Sequence, residues 1–493
     1  MNSTAIQFAE LRDTVLVYRK MLADRGLSTL EFLEQFSYLL VMKLAAEQYA
    51  ADLSGDAEPH AARMWDALKN KRGAELETQY RYALKELPKA TGTTAATIYR
   101  SAENRISDPA ILEQLVTELI APRQWLLMGA DVLGALYEDF LAQSLGENTE
   151  AGNFLTPRAL VRTVVEVMDP RPDDVIVDPA CGSAGFLIAA YRHILDNYTA
   201  DASKEQIARL GAGAIRGAEI KASRGCIASM NMLLHGLGAI DGEGLISVGD
   251  ILEAKPDAHA SMVFVNPPFG TVSRKPGVDD IDSGEGKSYE RDDFIKTTST
   301  HLNFLQHTLS LLAIGGRAAV VVPDNVLFGS GAADRIRTKL LATTDMHTLL
   351  RLPTGIFFKG GVKTSVLFFD KKSPRADGAP LTTEMWVYDF RTGKQFSNKN
   401  SPMTYQDLTD FIARFKAGDR SYRQETDRFR RFRYSKLAER QFNLDIRWQV
   451  GEKVGIDIRQ PAQIAREIAE DLGLAAAEFL AIADSLEAID GAL

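Results

Sequence analysis

The chain is poor in cysteine. Cys181 and Cys226 are the only two among its 493 residues, which is too few for a disulfide framework or for a zinc cluster built on cysteines. A secreted protein held together by disulfides is therefore excluded, and a reducing, cytoplasmic setting is expected.

Long apolar runs are absent as well. No apolar stretch reaches the roughly 18 residues that are needed to span a bilayer. The first residues, MNSTAIQFAELRDTV, contain neither the basic region nor the apolar region of a secretory signal. We therefore expect neither export nor a membrane partner.

Basic side chains do not outnumber acidic ones. The formal net charge is −9, which argues against a surface coated with basic residues for nucleic acid but is compatible with a local basic groove. The composition, 45% hydrophobic and 25% charged, is typical of a globular protein. A chain of this length predicts about two to four domains.

Three regions follow one another along the chain. Residues 1–125 have apolar residues at three- and four-residue spacing, which predicts a helical N-terminal domain. In residues 126–420, short apolar runs such as VIVD, RGAEI and SMVFV alternate with helical patterns. This alternation predicts an α/β domain, with a mostly parallel sheet and helices on both faces. Residues 421–493 predict a helical C-terminal tail.

Acidic residues follow three successive predicted strands. Asp178 ends the first strand, and Gly182 and Gly185 follow it at the opening of a helix. Glu219 and Asp250 end the next two strands, at the sheet edge where ligands bind in such folds. A carboxylate can accept hydrogen bonds from ribose hydroxyls, which suits Glu219, or from an adenine amino group, which suits Asp250. Each feature alone has an ordinary structural explanation, but the series favours a binding site.

Phosphate-binding motifs are missing from this region. Asp178 is not followed by G-x-G-x-x-G, and no G-x-x-x-x-G-K-[ST] is present. A nucleoside that carries a small zwitterionic tail is therefore favoured over a ligand held by its pyrophosphate.

The sequence NPPF, residues 266–269, ends the predicted strand SMVFV. The Asn266 side-chain oxygen and the Pro267 carbonyl could accept both N–H groups of an exocyclic amine and free its lone pair for attack. Pro267 and Pro268 restrict the backbone that holds this carbonyl, and Phe269 offers a face for base stacking, worth about 1–3 kcal/mol. This predicts methyl transfer to a flipped base, from S-adenosylmethionine and without a metal. A plain proline turn after a strand is the weaker explanation.

These motifs resemble those of the modification (M) subunit of type I restriction-modification systems, an adenine-N6 DNA methyltransferase. GNFLTPRALV at 152–161 resembles the first cofactor motif of that family, DPACGSAGF at 178–186 its glycine-rich cofactor motif, and NPPF its catalytic motif. The resemblance covers roughly residues 125–450. It implies a Rossmann-like class I S-adenosylmethionine-dependent methyltransferase sheet.

The resemblance also implies a site and partners. The implied catalytic residues are Asn266, Pro267, Pro268 and Phe269. The implied cofactor-binding residues are Asn153, Phe154, Leu155, Thr156, Pro157, Arg158, Asp178, Gly182, Ser183, Ala184, Gly185, Phe186, Glu219 and Asp250. Double-stranded DNA is the implied substrate, and a specificity (S) subunit docked on the C-terminal helices, a second M subunit and a restriction (R) subunit are the implied partners.

Two alternatives stay open. Methyltransferases that modify a glutamine amide of a protein also use Asn-Pro-Pro, typically followed by Tyr, whereas this chain has Phe269 and a long polar loop at 271–293. A non-catalytic scaffold subunit would not need Asn266 or the acidic series. The basic and aromatic stretch at 419–436 could follow a nucleic-acid backbone, but a solvated helix face or a partner-binding surface fits it equally well.

Overall fold

The computed structural model describes most of the chain up to residue 448. The described residues are 3–52, 58–144, 156–257, 259–268, 287–357, 363–391, 396, 401–416 and 419–448. One compact unit spans Met1–Ile446, and the description below concerns that unit. The predicted site residues Asn153, Phe154, Leu155 and Phe269 lie outside the described residues, as does the tail from residue 449 onward.

The N-terminal region is helical, which confirms the prediction. Ser28 caps the second helix in a capping box with Glu31, where each residue satisfies a backbone N–H group that the first helical turn leaves unpaired. The helices are α1 (Ser3–Ala23), α2 (Thr29–Ala51), α3 (His60–Leu68), α4 (Gly73–Glu86), α5 (Thr94–Tyr99), α6 (Pro109–Gln114) and α7 (Gly129–Ser144). Their buried apolar faces form one hydrophobic core.

A nine-stranded sheet follows. Its strands are β1 (Ile176–Asp178), β2 (Ile215–Glu219), β3 (Ile246–Val248), β4 (Ala260–Val265), β5 (Leu312–Pro323), β6 (Asp345–Arg351), β7 (Thr364–Asp370), β8 (Glu384–Asp389) and β9 (Phe429–Arg433). The order across the sheet is β3-β2-β1-β4-β5-β7-β6-β8-β9. The first five strands in this order are parallel, β7 is antiparallel to both of its neighbours, β6 and β8 are parallel, and β9 is antiparallel to β8. The predicted α/β fold with a mostly parallel sheet is confirmed.

Helices cover both faces of this sheet. Met262 and Phe264 of β4 belong to a core cluster with residues of α8 and α9, whereas Val263 and Val265 of the same strand are buried outside that cluster. Because successive residues of a strand point to opposite faces, both faces are buried. The helices of this region are α8 (Arg158–Met168), α9 (Gly185–Tyr198), α10 (Lys204–Arg209), α11 (Ala222–Leu234), α12 (Thr300–Leu311), α13 (Asn325–Phe328), α14 (Ala332–Thr343), α15 (Thr409–Phe415) and α16 (Tyr434–Glu439).

The start of the predicted helical tail differs from expectation. Residues 429–433 form the edge strand β9, inside the basic and aromatic stretch for which a helix face was one interpretation. Phe429 is buried against Trp386, with ring centroids 4.8 Å apart, and Arg431 pairs with Glu384 at 3.6 Å. The sequence FRRFR does not alternate strictly, because Phe429 shares one face of the strand with Arg431 and Arg433, which are exposed. Exposed arginines are typical of the edge of a sheet.

Strands β6 and β8 were also not predicted, because neither corresponds to one of the apolar runs identified in the sequence. Every residue of β6 is buried, yet its sequence, DMHTLLR, is largely polar. In the part of the chain that the structure describes, no helix combines the length and the apolarity that a bilayer crossing requires.

Candidate active site

The carboxyl ends of neighbouring strands bring the predicted polar residues to one edge of the sheet. Asp178 ends β1, Glu219 ends β2 and Asn266 follows β4. These strands are parallel neighbours in register, so their ends meet at the same edge, where ligands of such sheets bind.

The turn between β1 and α9 is tight and lies directly on β2. The N–H of Cys181 donates to the carbonyl of Ala218 at 2.9 Å, and the N–H of Ala184 donates to the carbonyl of Cys181 at 2.8 Å. Ala184 has a φ of 66°, a left-handed conformation that costs about 1–3 kcal/mol for a residue with a side chain. A Cβ atom at Gly217 would lie 2.9 Å from the Cβ atom of Cys181. The turn therefore keeps a strained conformation, which its contacts with β2 stabilise.

Cys181 packs in this turn without acting as a nucleophile. Its side chain is buried, and burial raises the pKa of its thiol well above the usual range, with the carboxyls of Asp178 and Glu219 adding to the effect. A thiol that stays protonated at neutral pH is a poor nucleophile.

Asp178 and Glu219 are buried carboxyl groups, and the donors around them are mainly backbone N–H groups. Asp178 is 2% exposed and accepts from the N–H of Ala180 at 3.0 Å; burial raises its pKa to about 8, helped by Glu219. Burial also raises the pKa of Glu219, against the effect of the Lys221 N–H, which donates to it at 3.1 Å. A ligand that offers a cation or hydroxyl donors would stabilise both ionised forms.

Asp250 follows β3 and already has donors. The hydroxyl of Tyr289 donates to its Oδ2 at 2.9 Å, and the N–H of Leu252 donates to its Oδ1 at 3.1 Å. The ammonium of Lys287 lies 3.6 Å from Oδ2. Asp250 is therefore fixed in orientation before any ligand is considered.

The side chain of Asn266 is fixed on one side only. Its Nδ2 donates to Oγ1 of Thr156 at 3.0 Å, a residue that lies just before α8. Its Oδ1 is buried and has no hydrogen-bond partner among the described residues. Because an unpaired buried acceptor costs about 1–3 kcal/mol, this oxygen is suited to receive a donor from a substrate.

One cavity of about 1130 Å³ is lined by Asp178, Thr156 and Asn266, whereas Glu219 and Asp250 are not among its lining residues. A cavity somewhat larger than the usual 300–1,000 Å³ or so of small-molecule sites can hold a nucleoside together with a second group. The predicted residues that line it are Thr156, Pro157, Arg158, Asp178, Ser183, Gly185, Phe186 and Asn266.

The other described site residues lie beside this wall. Gly182 and Ala184 are buried within the turn and shape it. Glu219 is buried at the end of β2, whereas Asp250 is only half-buried. After Asn266, Pro267 is buried and Pro268 is exposed. The structure thus brings together the turn, the start of α8 and Asn266, and leaves Asp250 at the periphery.

Asn231 of α11 is a site residue that the motifs do not identify. It is 2% exposed and lines the cavity. Its Nδ2 donates to the carbonyl of Ser183 at 2.8 Å, while its Oδ1 is buried without a partner in the described ranges. Through this bond to Ser183, Asn231 of α11 stabilises the turn between β1 and α9. The available signal was an amide within the apolar helical run CIASMNMLL.

Among the residues with a described placement, no three or more His, Cys, Asp or Glu side chains are grouped so that they could hold a metal ion.

Comparison with known proteins gives consistent relatives. The sequence model of the family described as N-6 DNA Methylase matches residues 128–455. The type I restriction enzyme StySJI methylase subunit of Salmonella typhimurium (strain LT2) is 36% identical over 409 residues, which is 79% of this chain and 73% of that protein. The type I restriction enzyme EcoKI methylase subunit of Escherichia coli (strain K12) is 35% identical over 410 residues, with the same coverage.

Solved structures with the same fold cover almost the whole chain. A chain from a study of complex assembly and conformational transition of the type I R-M system has a TM-score of 0.72 at 22% identity, covering 97% of this chain and 98% of that one. The crystal structure of the EcoKI M protein has a TM-score of 0.52 at 28% identity, covering 95% and 94%.

Proposed function

The chain belongs to the N-6 DNA methylase family, as a type I restriction enzyme methylase subunit, and from this premise we propose that it transfers a methyl group from S-adenosylmethionine to N6 of adenine in double-stranded DNA. The observation that carries the proposal is the buried Oδ1 of Asn266, which is unpaired among the described residues and lies at the wall of the cavity that Asp178 also lines. The family match includes every residue of that wall.

Asn266 is suited to act on an exocyclic amine. The lone pair of adenine N6 is delocalised into the ring, so the free amine is a poor nucleophile. Asn266 Oδ1 would accept one N6–H, and the carbonyl of Pro267 would accept the other, which favours a tetrahedral nitrogen with its lone pair available. Thr156 accepts from Nδ2 and thereby keeps the amide oxygen on the substrate side.

The residues at the sheet edge fit S-adenosylmethionine. This cofactor supplies an electrophilic methyl group when bound. Asp178 would accept from the ammonium of its methionine part. Burial raises the pKa of Asp178 to about 8, and a cation beside the carboxylate would offset the cost of burying its negative charge. Glu219 would accept from the ribose hydroxyls, and Asp250 from the adenine amino group.

Some assignments concern residues outside the described ranges. Asn153, Phe154 and Leu155 stay predicted contacts of the methionine part, alongside Thr156, Pro157 and Arg158 at the start of α8. Phe269 stays the predicted stacking partner of a base that has left the duplex. Methyl transfer by this clamp requires no metal.

The partners and the domain division are proposals as well. We expect a specificity subunit to bind the C-terminal tail, and a second M subunit and a restriction subunit to join the assembly, because the relatives are named as subunits of type I restriction enzymes. The proposed domains are 1–125, 126–420 and 421–493, although β9 extends the catalytic sheet to Arg433. Family membership does not favour the two alternatives, a glutamine-amide methyltransferase and a non-catalytic scaffold.

The test is Asn266→Ala, assayed in the full chain with the subunits that purify with it from its host. We expect the rate of methyl transfer to duplex DNA to fall at least about a hundredfold, since one preorganised hydrogen-bonding group at a reacting atom is worth this much. Cofactor affinity, measured by calorimetry, should change little, because Asn266 contacts the substrate amine. Asn70→Ala, an exposed position in the helical region, is the control. Methylation at the wild-type rate by Asn266→Ala would exclude the proposed clamp.

A further inference from the structure

Asp250 is held by a segment that lies far from it in the sequence. This segment consists of residues 287–297, which precede α12, and is called the 287–297 segment below. From this segment, Tyr289 donates its hydroxyl to Oδ2 of Asp250 at 2.9 Å. The Lys287 ammonium binds Glu253 and lies 3.6 Å from the same Asp250 oxygen. The other oxygen accepts from the N–H of Leu252 at 3.1 Å. One carboxylate oxygen is thus held by local backbone and the other by the 287–297 segment.

Arg291 fastens the 287–297 segment to the loop after β3. Its guanidinium is 4% exposed and forms a two-point pair with Asp293, with Nε–Oδ1 and Nη2–Oδ2 distances of 3.0 and 2.7 Å. Its Nη1 donates to the carbonyls of Leu252 at 3.3 Å and Ala254 at 2.9 Å. A two-point pair fixes the plane of the guanidinium, so the loop that carries Asp250 and the segment that carries Tyr289 keep one relative position.

Helix α12 holds the 287–297 segment from the other side. Its buried Asn303 donates to the carbonyl of Thr297 at 3.2 Å, and its buried Gln306 donates to the carbonyl of Ile295 at 3.0 Å. Asn303 and Gln306 are three residues apart and therefore share a face of the helix.

The same face of α12 continues with His307 and Ser310. Nδ1 of His307 accepts from Nη1 of Arg291 at 2.9 Å, and the hydroxyl of Ser310 donates to Asp293. Burial lowers the pKa of His307 to about 4, so the ring is neutral at neutral pH and can accept this bond. A buried polar network of this kind holds a single arrangement, and here the arrangement presents Tyr289 to Asp250.

We propose that Tyr289 and Lys287 are positioning residues that orient the Asp250 carboxylate toward the 6-amino group of the cofactor's adenine, and so make the site select adenosyl over inosyl cofactors. This inference rests on the proposed function, which assigns Asp250 to adenine. An ionised carboxylate only accepts hydrogen bonds. A 6-amino group supplies a donor at that place, whereas a 6-oxo group supplies a second acceptor and leaves the carboxylate unpaired.

The experiment compares the affinities of the full chain for S-adenosylhomocysteine and S-inosylhomocysteine by calorimetry. Tyr289→Phe should lower the ratio of the two affinities about three- to tenfold, the value of one hydrogen bond of ordinary strength. The matched control is Tyr388→Phe, which removes a comparable bond, from the Tyr388 hydroxyl to Asp410 at 2.8 Å, and should leave the ratio unchanged. Lys287→Met should lower the ratio about twofold, as suits an exposed ion pair.

Two further results separate this inference from the proposed function. Asp250→Asn should lower or invert the ratio, because an amide can also donate to a 6-oxo group. If Asp250→Asn does so while Tyr289→Phe and Lys287→Met keep the wild-type ratio, the positioning role is excluded and the cofactor site stands. If Asp250→Asn also keeps the ratio, or if the wild-type chain binds neither nucleoside, the cofactor assignment itself fails. Should Tyr289→Phe not fold, Lys287→Met decides alone, since Lys287 is 56% exposed.

Discussion

At the scale of single residues, the amide of Asn266 has a donor and an acceptor, and its two ends have different surroundings. The donor is bound to Thr156, and the acceptor is buried with no partner among the described residues. An asparagine amide can bind with its oxygen and nitrogen exchanged, and a threonine hydroxyl can accept or donate. In the arrangement described, Nδ2 is bound to Thr156, which leaves Oδ1 as the atom available to a substrate. Besides lying near the predicted site of the methionine part of the cofactor, Thr156 therefore binds and orients the Asn266 amide.

A prediction at this scale concerns Thr156. Thr156→Val removes the hydroxyl that accepts from Asn266 Nδ2 while keeping the side-chain shape. We expect kcat for DNA methylation to fall about fivefold, because an orienting hydrogen bond worth about 1 kcal/mol is lost. Thr156→Ser retains the hydroxyl and should restore most of the rate. A Thr156→Val enzyme with unchanged kcat in steady-state kinetics would mean that Asn266 is oriented by other contacts.

At the scale of elements, helix α11 belongs to two hydrophobic cores. Ile227, Met230 and Leu234 pack in the core of the N-terminal helices, whereas Ala228 and Met232 pack in the core of the sheet. These two sets follow helical spacing on two faces of α11. The N-terminal helices are therefore joined to the sheet through a shared helix, which agrees with the single compact unit that spans residues 1–446.

The second prediction concerns the contact of α7 with the C-terminal end of α11. A Cβ atom at Gly134 would lie 2.5 Å from Nε2 of His235, and Nδ1 of His235 is bonded to the carbonyl of Asn231 at 2.8 Å. Gly134→Ala should therefore force the helices apart, lower the free energy of unfolding by about 1–3 kcal/mol, and weaken cofactor binding through Asn231 and the turn.

The control for this prediction is Gly211→Ala. A Cβ atom there would meet its nearest neighbour, the backbone nitrogen of Gly238, at an ordinary 3.6 Å. Thermal unfolding and calorimetry of the two variants provide the measurement. Equal melting temperatures for Gly134→Ala and the wild type would show that α7 and α11 do not need this close approach.

At the scale of the whole molecule, the sheet ends in an edge strand rich in arginine, and the chain continues beyond it. Strand β9 pairs with β8, and the compact unit closes at Ile446. Arg351, which is fully buried, binds the carbonyl of Ile446 and the carboxylate of Asp445. The end of this unit is thus held by β6.

The last prediction follows from this arrangement. A chain shortened to residues 1–448 should stay folded and bind S-adenosylhomocysteine with the affinity of the full chain, since Lys416 is the last of the described residues that line the cavity. It should no longer retain a specificity subunit, if the tail is the docking element. Affinity purification of the full and shortened chains from the host, followed by mass spectrometry, makes the comparison. A specificity subunit that purifies equally with both chains would move the docking surface into residues 1–446.

Local patterns determined a large part of this protein. Strands β1 to β5 and β7 were predictable because each contains a short apolar run that stops at, or within two residues of, a glycine, proline or acidic residue. Asp178, Glu219 and Asn266 were predictable because each lies at or just after such an end. These signals depend only on neighbours along the chain, which fix the side-chain period and the point where a strand stops.

Only the tertiary structure decided the rest. β6 is largely polar in sequence but buried because it lies between β7 and β8, and its Arg351 is paired with carboxylates that other elements supply; β9 carries exposed arginines because it lies at an edge. Thr156 lies 110 positions from Asn266, and Asp250 lies 39 positions from Tyr289. Which distant residues meet depends on the order of strands across the sheet, and no local period of a sequence encodes that order.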